Sequence, residues 1–358
     1  MEDKLFKLLR IGLEITKPNN EDLSPFMDIS EFEWNELINI AQEQGVLGFT
    51  FDGIEKINSF VEFKKSSTWF YEAYNGVLLR ESLNAKQKNA IVDLCTLWKQ
   101  HEIQMLLLKG QGNGLNYPKP LHRDCGDIDC FLFGQYDKGN DIIRFKGIPV
   151  NEDWEKHSKF TFNGETVENH QFFVMTLDEK WWKTLHNELS VLLAEEEAKI
   201  IENCYFVPPV QFNALFLTYH AMAHFEAGNM RLKQILDWAM FVKVNNDVID
   251  WGLLRKECKK YKMDAFLDVM NGIILRFFYI KANGEKCNII NDHFLNKVMW
   301  SVFYDKDFIW KDDSKSRWAG RFHFLFYVLK NRWKFNLVGS SSFKQLWLYV
   351  TTYRERNK

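Results

Sequence analysis

The chain has 358 residues, of which 46% are hydrophobic and 26% are charged, and its formal net charge is -2. This length is enough for two domains, or for one elaborated domain with a sizeable core. The near-neutral total excludes a protein whose whole surface coats nucleic acid, although it allows a local basic patch.

We expect neither a signal peptide nor a transmembrane segment. The start, Met1-Glu2-Asp3-Lys4, is acidic where a signal peptide needs basic residues, and no run of about 18 uncharged apolar residues occurs. Six cysteines lack the spacing of a zinc site and are typical of reduced thiols: Cys95, Cys125, Cys130, Cys204, Cys258 and Cys287. These features predict a cytoplasmic protein.

The hydrophobic pattern divides the chain into four regions. Residues 1–103 have helical spacing, and Ser30-Glu31-Phe32-Glu33 matches a capping box. Residues 104–178 contain the short apolar and alternating runs of a sheet, residues 179–310 are helical again, and residues 311–358 form a basic, aromatic C-terminal segment. The predicted fold is therefore α+β, with a small mixed β-sheet core and extensive N- and C-terminal helices.

Within the sheet region, a continuous apolar run, Met105–Leu108, ends at Lys109-Gly110 and predicts a buried strand. A second strand is predicted from about Asp127 to Phe133. Asn163-Gly164 lies between two alternating segments, which is a strong signal for a β-hairpin. From about residue 178 onward we predict only helices, including Val210 to about Ala227.

Two carboxylates in the second strand are the most informative feature. Residues two apart on a strand point the same way, so Asp127 and Asp129 would stand side by side with Ile128 turned into the core. Such close like charges favour a cation between them, and Mg²⁺ prefers oxygen ligands together with substrate phosphates. With Glu168 as a third acid and Gly110 at a phosphate-binding turn, these residues suit two-metal phosphoryl transfer. The alternative is solvated surface charge.

Several motifs together resemble the uncharacterised nucleotidyltransferase family, a branch of the DNA polymerase beta-like nucleotidyltransferase superfamily. They are Leu107-Leu108-Lys109-Gly110, Tyr117-Pro118, the block from Arg123 to Asp129, and Val167-Glu168-Asn169-His170. The helical signature of the family resembles His220, His224, Arg231-Leu232 and Asp237-Trp238. The similarity covers most of residues 30 to 260.

The resemblance implies a magnesium-dependent, nucleotide-binding transferase that moves a nucleoside monophosphate from an NTP to a hydroxyl-type acceptor and releases pyrophosphate. Asp127, Asp129 and Glu168 would be the catalytic and metal-binding residues for two Mg²⁺ ions, with Mn²⁺ as the other candidate. The acceptor is a small molecule, a protein or RNA. The alternative is a catalytically inactive nucleotide-binding or RNA-binding protein of the same fold.

Lys109, Gly110 and Arg123 are the predicted nucleotide-binding residues. The wider superfamily usually has Gly-Ser at the turn where this chain has Lys109-Gly110, so Lys109 either neutralises a phosphate or pairs with Asp127 or Asp129. Arg123 either clamps the triphosphate or pairs with Asp124 or Glu168.

His220, His224, Arg231 and Asp237 are candidates for contact with the acceptor or the cleft. Structural histidines bonded to nearby carboxylates are the favoured interpretation of His220 and His224, and the same holds for His170. The segment 311–358 has a net charge of +8 and interleaved aromatic residues. It either contacts nucleic acid, a lipid surface or a partner, or docks as a last helical layer on the more acidic remainder.

Overall fold

The computed structural model describes residues 1–61, 67–152, 156–283, 290–305, 317–341 and 343–347, with the backbone alone for 317–321. A single mixed sheet is surrounded by many helices. The predicted α+β fold is therefore confirmed.

Helices fill the region that precedes the sheet: α1 (Glu2–Gly12), α2 (Asn20–Leu23), α3 (Glu31–Glu43), α4 (Leu47–Ile57) and α5 (Thr68–Lys99). Ser30 and Glu33 form the reciprocal capping box at the start of α3, as predicted. At 1.5 Å per residue, α5 is about 48 Å long. It is long enough to run across the whole width of the sheet.

In the described residues the sheet has the order β3-β4-β2-β1-β6-β5. Its strands are β1 (Leu106–Leu107), β2 (Ile128–Phe131), β3 (His157–Phe162), β4 (Glu165–His170), β5 (Lys199–Ile201) and β6 (Tyr205–Val207). β2 is parallel to β4 and antiparallel to β1, and β1 is parallel to β6. The connections β1–β2 and β2–β3 contain the helices α6 (Gly110–Gly114) and α7 (Tyr136–Phe145).

Two details of the strand prediction are wrong. β5 and β6 lie in a region predicted to be helical; they have three residues each, too few to show an alternating pattern. Pairing across the sheet holds them, and Phe206 N donates to Met105 O at 2.8 Å. The second predicted strand begins at Ile128, so Asp127 precedes it.

The predicted hairpin is confirmed. Asn163 and Gly164 both have positive φ angles, +49° and +80°, as a two-residue turn between antiparallel strands requires. This turn fixes the register of β3 on β4, so Lys159 lies opposite Glu168 and His157 lies opposite His170.

The two faces of the central strands differ in chemistry. Ile128, Cys130 and Val167 point into a core that also contains side chains of α5: Ala90, Ile91, Leu94 and Trp98. The alternate positions, Asp129 and Glu168, point to the opposite face. There Phe131 packs on Phe173 at a ring separation of 4.3 Å, and Phe173 packs on Phe212.

α8 (Glu179–Glu195) lies between β4 and β5. The described chain after β6 is helical and contains α9 (Val210–Ala227), α10 (Leu232–Asn245), α11 (Trp251–Lys260), α12 (Asp264–Phe278), α13 (Asp292–Tyr304), α14 (Arg317–Lys330) and α15 (Arg332–Leu337). α9 has the predicted bounds. Phe212 belongs to α9, so this helix covers the polar face of the sheet. Among the described helices, none combines the length and apolar character needed to span a bilayer.

The described part of the C-terminal segment docks on the helical domain. Trp333 packs on Phe225, and Lys334 Nζ lies 2.9 Å from Asp305 Oδ2. Lys344 also pairs with Asp178, whereas the side chains of Phe322 and Phe326 are exposed. Contact of this segment with nucleic acid or a partner stays a prediction, and much of its basic charge lies in 306–316 and 348–358, outside the described residues.

Candidate active site

The three predicted acids meet on the polar face of the sheet. Asp129 on β2 is directly opposite Glu168 on β4 in a parallel pair, so their side chains stand side by side. Lys159 Nζ lies 3.1 Å from Asp127 Oδ2 and 3.4 Å from Glu168 Oε1, so one ammonium group bridges these two carboxylates. The fold thus brings together Asp127, Asp129 and Glu168, which are up to 41 positions apart in sequence.

The turn after β1 holds Lys109 against these acids. Lys109 and Gly110 have positive φ angles, +41° and +44°. This backbone suits glycine at 110, but a lysine at 109 carries a cost of about 1–3 kcal/mol. Lys109 Nζ lies 2.8 Å from Asp129 Oδ1. Of the two partners that the sequence allowed for Lys109, a carboxylate or a phosphate, the carboxylate is therefore present. Contact of Lys109 with a phosphate stays a prediction.

Asp129 is a buried, ionised carboxylate. Burial by itself raises its pKa, but the charge of Lys109 and a hydrogen bond from His170 outweigh this and hold the pKa well below its usual range. His170 Nε2 lies 2.9 Å from Asp129 Oδ1, so the favoured contact of this histidine with a carboxylate is present. Burial and the charge of Asp129 raise the pKa of the neighbouring Glu168.

The sequence prediction missed three site residues next to the hairpin: Lys156, His157 and Lys159. Burial and the nearby charge of Lys109 lower the pKa of Lys156 to about 8. Burial and the charge of Lys156 lower the pKa of His157 to about 4. The signal was present in the sequence, because a two-residue Asn-Gly turn places positions 157 and 159 opposite 170 and 168.

Comparison with known proteins identifies the family. A family model described as "Uncharacterised nucleotidyltransferase" matches residues 30–278, more than half of the chain. The chain belongs to this family. No curated protein and no solved structure matches it.

Membership confirms the resemblance drawn from the Lys-Gly and Asp-x-Asp motifs and supports a nucleotidyl-transfer role with an NTP as substrate. The part that matches the nucleotidyltransferase family contains the complete described sheet and extends to the end of α12 at Phe278. The C-terminal segment 311–358 lies outside it.

His220 and His224 lie on α9, which covers the polar face. Burial and the positive charge of Lys109 lower the pKa of His220 well below its usual value, and burial lowers that of His224 to about 4. His224 Nδ1 bonds Asn229 Oδ1 at 2.8 Å, so its partner is an amide and not the carboxylate that was favoured. Both imidazoles are therefore neutral at pH 7 and lie close enough to Lys109 for its charge to affect their pKa values.

Arg123 and Asp237 form a separate buried cluster. Arg123 Nε and one terminal nitrogen donate to the two oxygens of Asp237, each at 2.7 Å, and Tyr117 OH donates to Asp237 Oδ1 at 2.7 Å. The charge of Asp237 outweighs the effect of burial and raises the pKa of Arg123 well above its usual value. The predicted partners of Arg123, Asp124 and Glu168, are bonded elsewhere, since Asp124 pairs with Arg80.

This cluster links the loop before β2 to α10, and Asn84 Nδ2 on α5 donates to Arg123 O at 2.7 Å. In this arrangement two nitrogens of the Arg123 guanidinium are already bonded to Asp237. Arg231 is the residue immediately before α10, and its backbone N–H donates to Gln234 Oε1 at 2.9 Å. The predicted contacts of Arg123, Arg231 and Asp237 with nucleotide or acceptor stay predictions.

Proposed function

We propose that this protein transfers a nucleoside monophosphate from a metal-bound NTP to a hydroxyl-type acceptor and releases pyrophosphate. Asp127, Asp129 and Glu168 are the metal-binding acids of the proposal, with Mg²⁺ as the ion. Lys109 and Gly110 would seat the triphosphate. The acceptor side of the cleft would lie toward α9, where His220 and His224 are placed.

The observation that carries the proposal is the ionised, buried state of Asp129 beside two further carboxylates. Three acids on one sheet face repel one another, and lysine ammonium groups offset that repulsion in the described structure. The donor set is carboxylate oxygen throughout, which fits Mg²⁺. Metal ions bound there supply charge neutralisation for the phosphates and the developing oxyanions.

The residues of the chain would then act as follows. Lys109, released from Asp129, would turn its ammonium to the phosphate tail as a point charge. Glu168, whose pKa is raised by burial and by Asp129, would accept the proton of the attacking hydroxyl. α9 and the aromatic residues Phe131 and Phe173 would limit access of water to this face.

Calorimetry with each NTP, with and without Mg²⁺, tests the proposal on the wild type and on the Asp127→Asn/Asp129→Asn double variant. We expect Mg²⁺-dependent binding of at least one NTP to the wild type and its loss in the variant. The matched control is Asp141→Asn, which removes an exposed carboxylate of α7 that pairs with Arg144. Equal binding by wild type and double variant would contradict the proposal.

A second candidate function, nucleotide binding without catalysis, has one observation in its favour. Lys109 is bonded to Asp129, and Lys159 bridges Asp127 and Glu168, so the two lysines are able to hold the acids together without metal. Pyrophosphate release separates the two functions. Tight NTP binding with no pyrophosphate released, in the presence of varied hydroxyl acceptors, would favour the inactive protein.

A further inference from the structure

Two imidazoles flank Glu168 on the polar face of the sheet. His157 Nε2 lies 3.4 Å from Glu168 Oε1, and His170 Nε2 lies 3.7 Å from Glu168 Oε2. One ligand atom from each of the three residues falls within 4.8 Å of the others. Donor atoms that bind one ion at about 2.0–2.2 Å in tetrahedral geometry lie about 3.3–3.6 Å apart, so the three side chains would close slightly around an ion.

The orientation of His170 gives a second, independent indication. Its Nδ1 faces the backbone carbonyl of Phe172 at 3.4 Å, while its Nε2 points at carboxylate oxygens of both Asp129 and Glu168. Histidines that bind metals usually donate their second ring N–H to a carbonyl or carboxylate. Without metal, Nε2–H donates to Asp129; binding of a cation at Nε2 would leave the proton on Nδ1, where the carbonyl of Phe172 is placed to accept it.

We propose that His157, Glu168 and His170 bind one divalent transition-metal ion, of the class of Mn²⁺, Co²⁺ and Zn²⁺, in preference to Mg²⁺. The donor set of two imidazole nitrogens and one carboxylate determines this preference. Mg²⁺ demands oxygen ligands, whereas imidazole suits the first-row transition metals. Glu168 is shared with the acids of the proposed transferase; Asp129 is not counted as a ligand, because its oxygen that faces His170 is also bonded to Lys109.

One group must move for the ion to bind. Lys159 Nζ lies 3.4 Å from the Glu168 oxygen that also faces His157. The side chain of Lys159 is 43% exposed, so its ammonium can turn into solvent at small cost. Lys109 bonds Asp129 and not Glu168, so it does not block the three proposed ligands.

The inference goes beyond the proposed function, because it concerns an ion bound without nucleotide. The test uses the full chain stripped of metal with EDTA and titrated with Co²⁺, whose visible absorption reports nitrogen and oxygen ligation. We expect one Co²⁺ per chain, displaced by Zn²⁺ but retained in a large excess of Mg²⁺. His157→Ala should weaken Co²⁺ binding by about tenfold or more.

Two variants keep the result interpretable. His101→Ala removes an exposed histidine just beyond α5 and should bind Co²⁺ as the wild type does. His157 is only partly buried on the edge strand β3, so its variant is expected to fold, and a circular-dichroism melt checks this. Displacement of Co²⁺ by equimolar Mg²⁺, or unchanged binding by a folded His157→Ala, would overturn the inference.

The two proposals fail in different ways. The Asp127→Asn/Asp129→Asn variant should lose Mg²⁺-dependent NTP binding and still bind Co²⁺ through the two histidines and Glu168. A wild type that binds NTP with Mg²⁺ but gives no Co²⁺ absorption would remove this inference and leave the proposed function standing. Co²⁺ binding without any NTP binding would do the reverse.

Discussion

Two charge clusters involve residues of the connection between β1 and β2, one buried and one partly exposed, and they are built differently. Arg123, Asp237 and Tyr117 are joined by three hydrogen bonds of 2.7 Å, and both oxygens of Asp237 are used. In the acid cluster, Asp129 shares one oxygen between Lys109 and His170, and Lys159 is divided between Asp127 and Glu168 at 3.1 and 3.4 Å.

The difference separates a structural ion pair from an exchangeable one. A bidentate pair in a buried site has its partners fixed, and no ligand is needed to complete it. In the proposed function, three acids held by two lysines through shared contacts of 2.8–3.4 Å would exchange those lysines for metal ions, and the lysines would then be free to meet phosphates. The sequence marks charged residues of both clusters as candidate site residues. Only the hydrogen-bond geometry shows which cluster is fixed and which is exchangeable.

The largest expected effect comes from breaking the fixed pair. Asp237→Ala would leave the guanidinium of Arg123 buried without its counter-charge, and we expect the free energy of unfolding to fall by about 3–5 kcal/mol. Urea denaturation measures this. Asp141→Ala, which removes an exposed partner of Arg144, is the control and should change it by less than about 1 kcal/mol. A loss that small at Asp237 would contradict the fixed-pair interpretation.

A smaller loss of unfolding free energy is expected when the pH is lowered. Burial lowers the pKa of His170 from 6.5 to about 4, so the unfolded chain binds a proton on this residue before the folded chain does. Its contribution to stability is therefore complete above pH 6.5 and is lost as the pH falls toward 4, by about 3 kcal/mol at most.

His170→Asn isolates that contribution. Between pH 7 and pH 4 the variant should lose less unfolding free energy than the wild type, measured by urea denaturation at each pH. Carboxylates titrate in both proteins, so the difference between the two curves belongs to His170 and to its effect on the pKa of Asp129. Parallel curves would show that His170 is not held neutral by burial.

The smallest effect is expected at the exchangeable cluster. Lys159→Ala removes an ammonium group that is 43% exposed, so unfolding free energy should change by less than about 1 kcal/mol. The same variant should bind Mn²⁺ more tightly, as measured by electron paramagnetic resonance, because Asp127 and Glu168 lose their competitor. Strong destabilisation with no gain in Mn²⁺ affinity would place this cluster with the fixed pair.

Local signals predicted much of the fold. The bounds of α9, the capping box of α3 and the Asn163-Gly164 hairpin each depend on residues within a few positions of one another. β5 and β6 could not be predicted in this way, because three-residue strands carry no period; β6 is held by pairing with β1, and β5 by pairing with β6.

The meeting of the three acids was predictable to the same extent, and their binding of metal stays a prediction. Asp127, Asp129 and Glu168 were singled out by type and spacing, and the parallel pairing of β2 with β4 brings them together. The partner of Arg123 was not predictable, since Asp237 is 114 positions away and two nearer acids were equally plausible. Lys159 and His157 were within reach, because the hairpin register alone places them opposite Glu168 and His170.

That hairpin makes the chemistry depend on a surface turn. β3 is an outer strand of the described sheet, and its register on β4 depends on the two-residue turn together with a bridge in which Asn151 and Lys159 exchange backbone hydrogen bonds of 2.9 and 2.7 Å. One additional residue between Asn163 and Gly164 would shift the strand by a step and send Lys159 and His157 to the opposite face. The positions of the charged side chains around Glu168 therefore depend on a turn that lies about 10 Å or more from the acids, at 3.3 Å per strand residue.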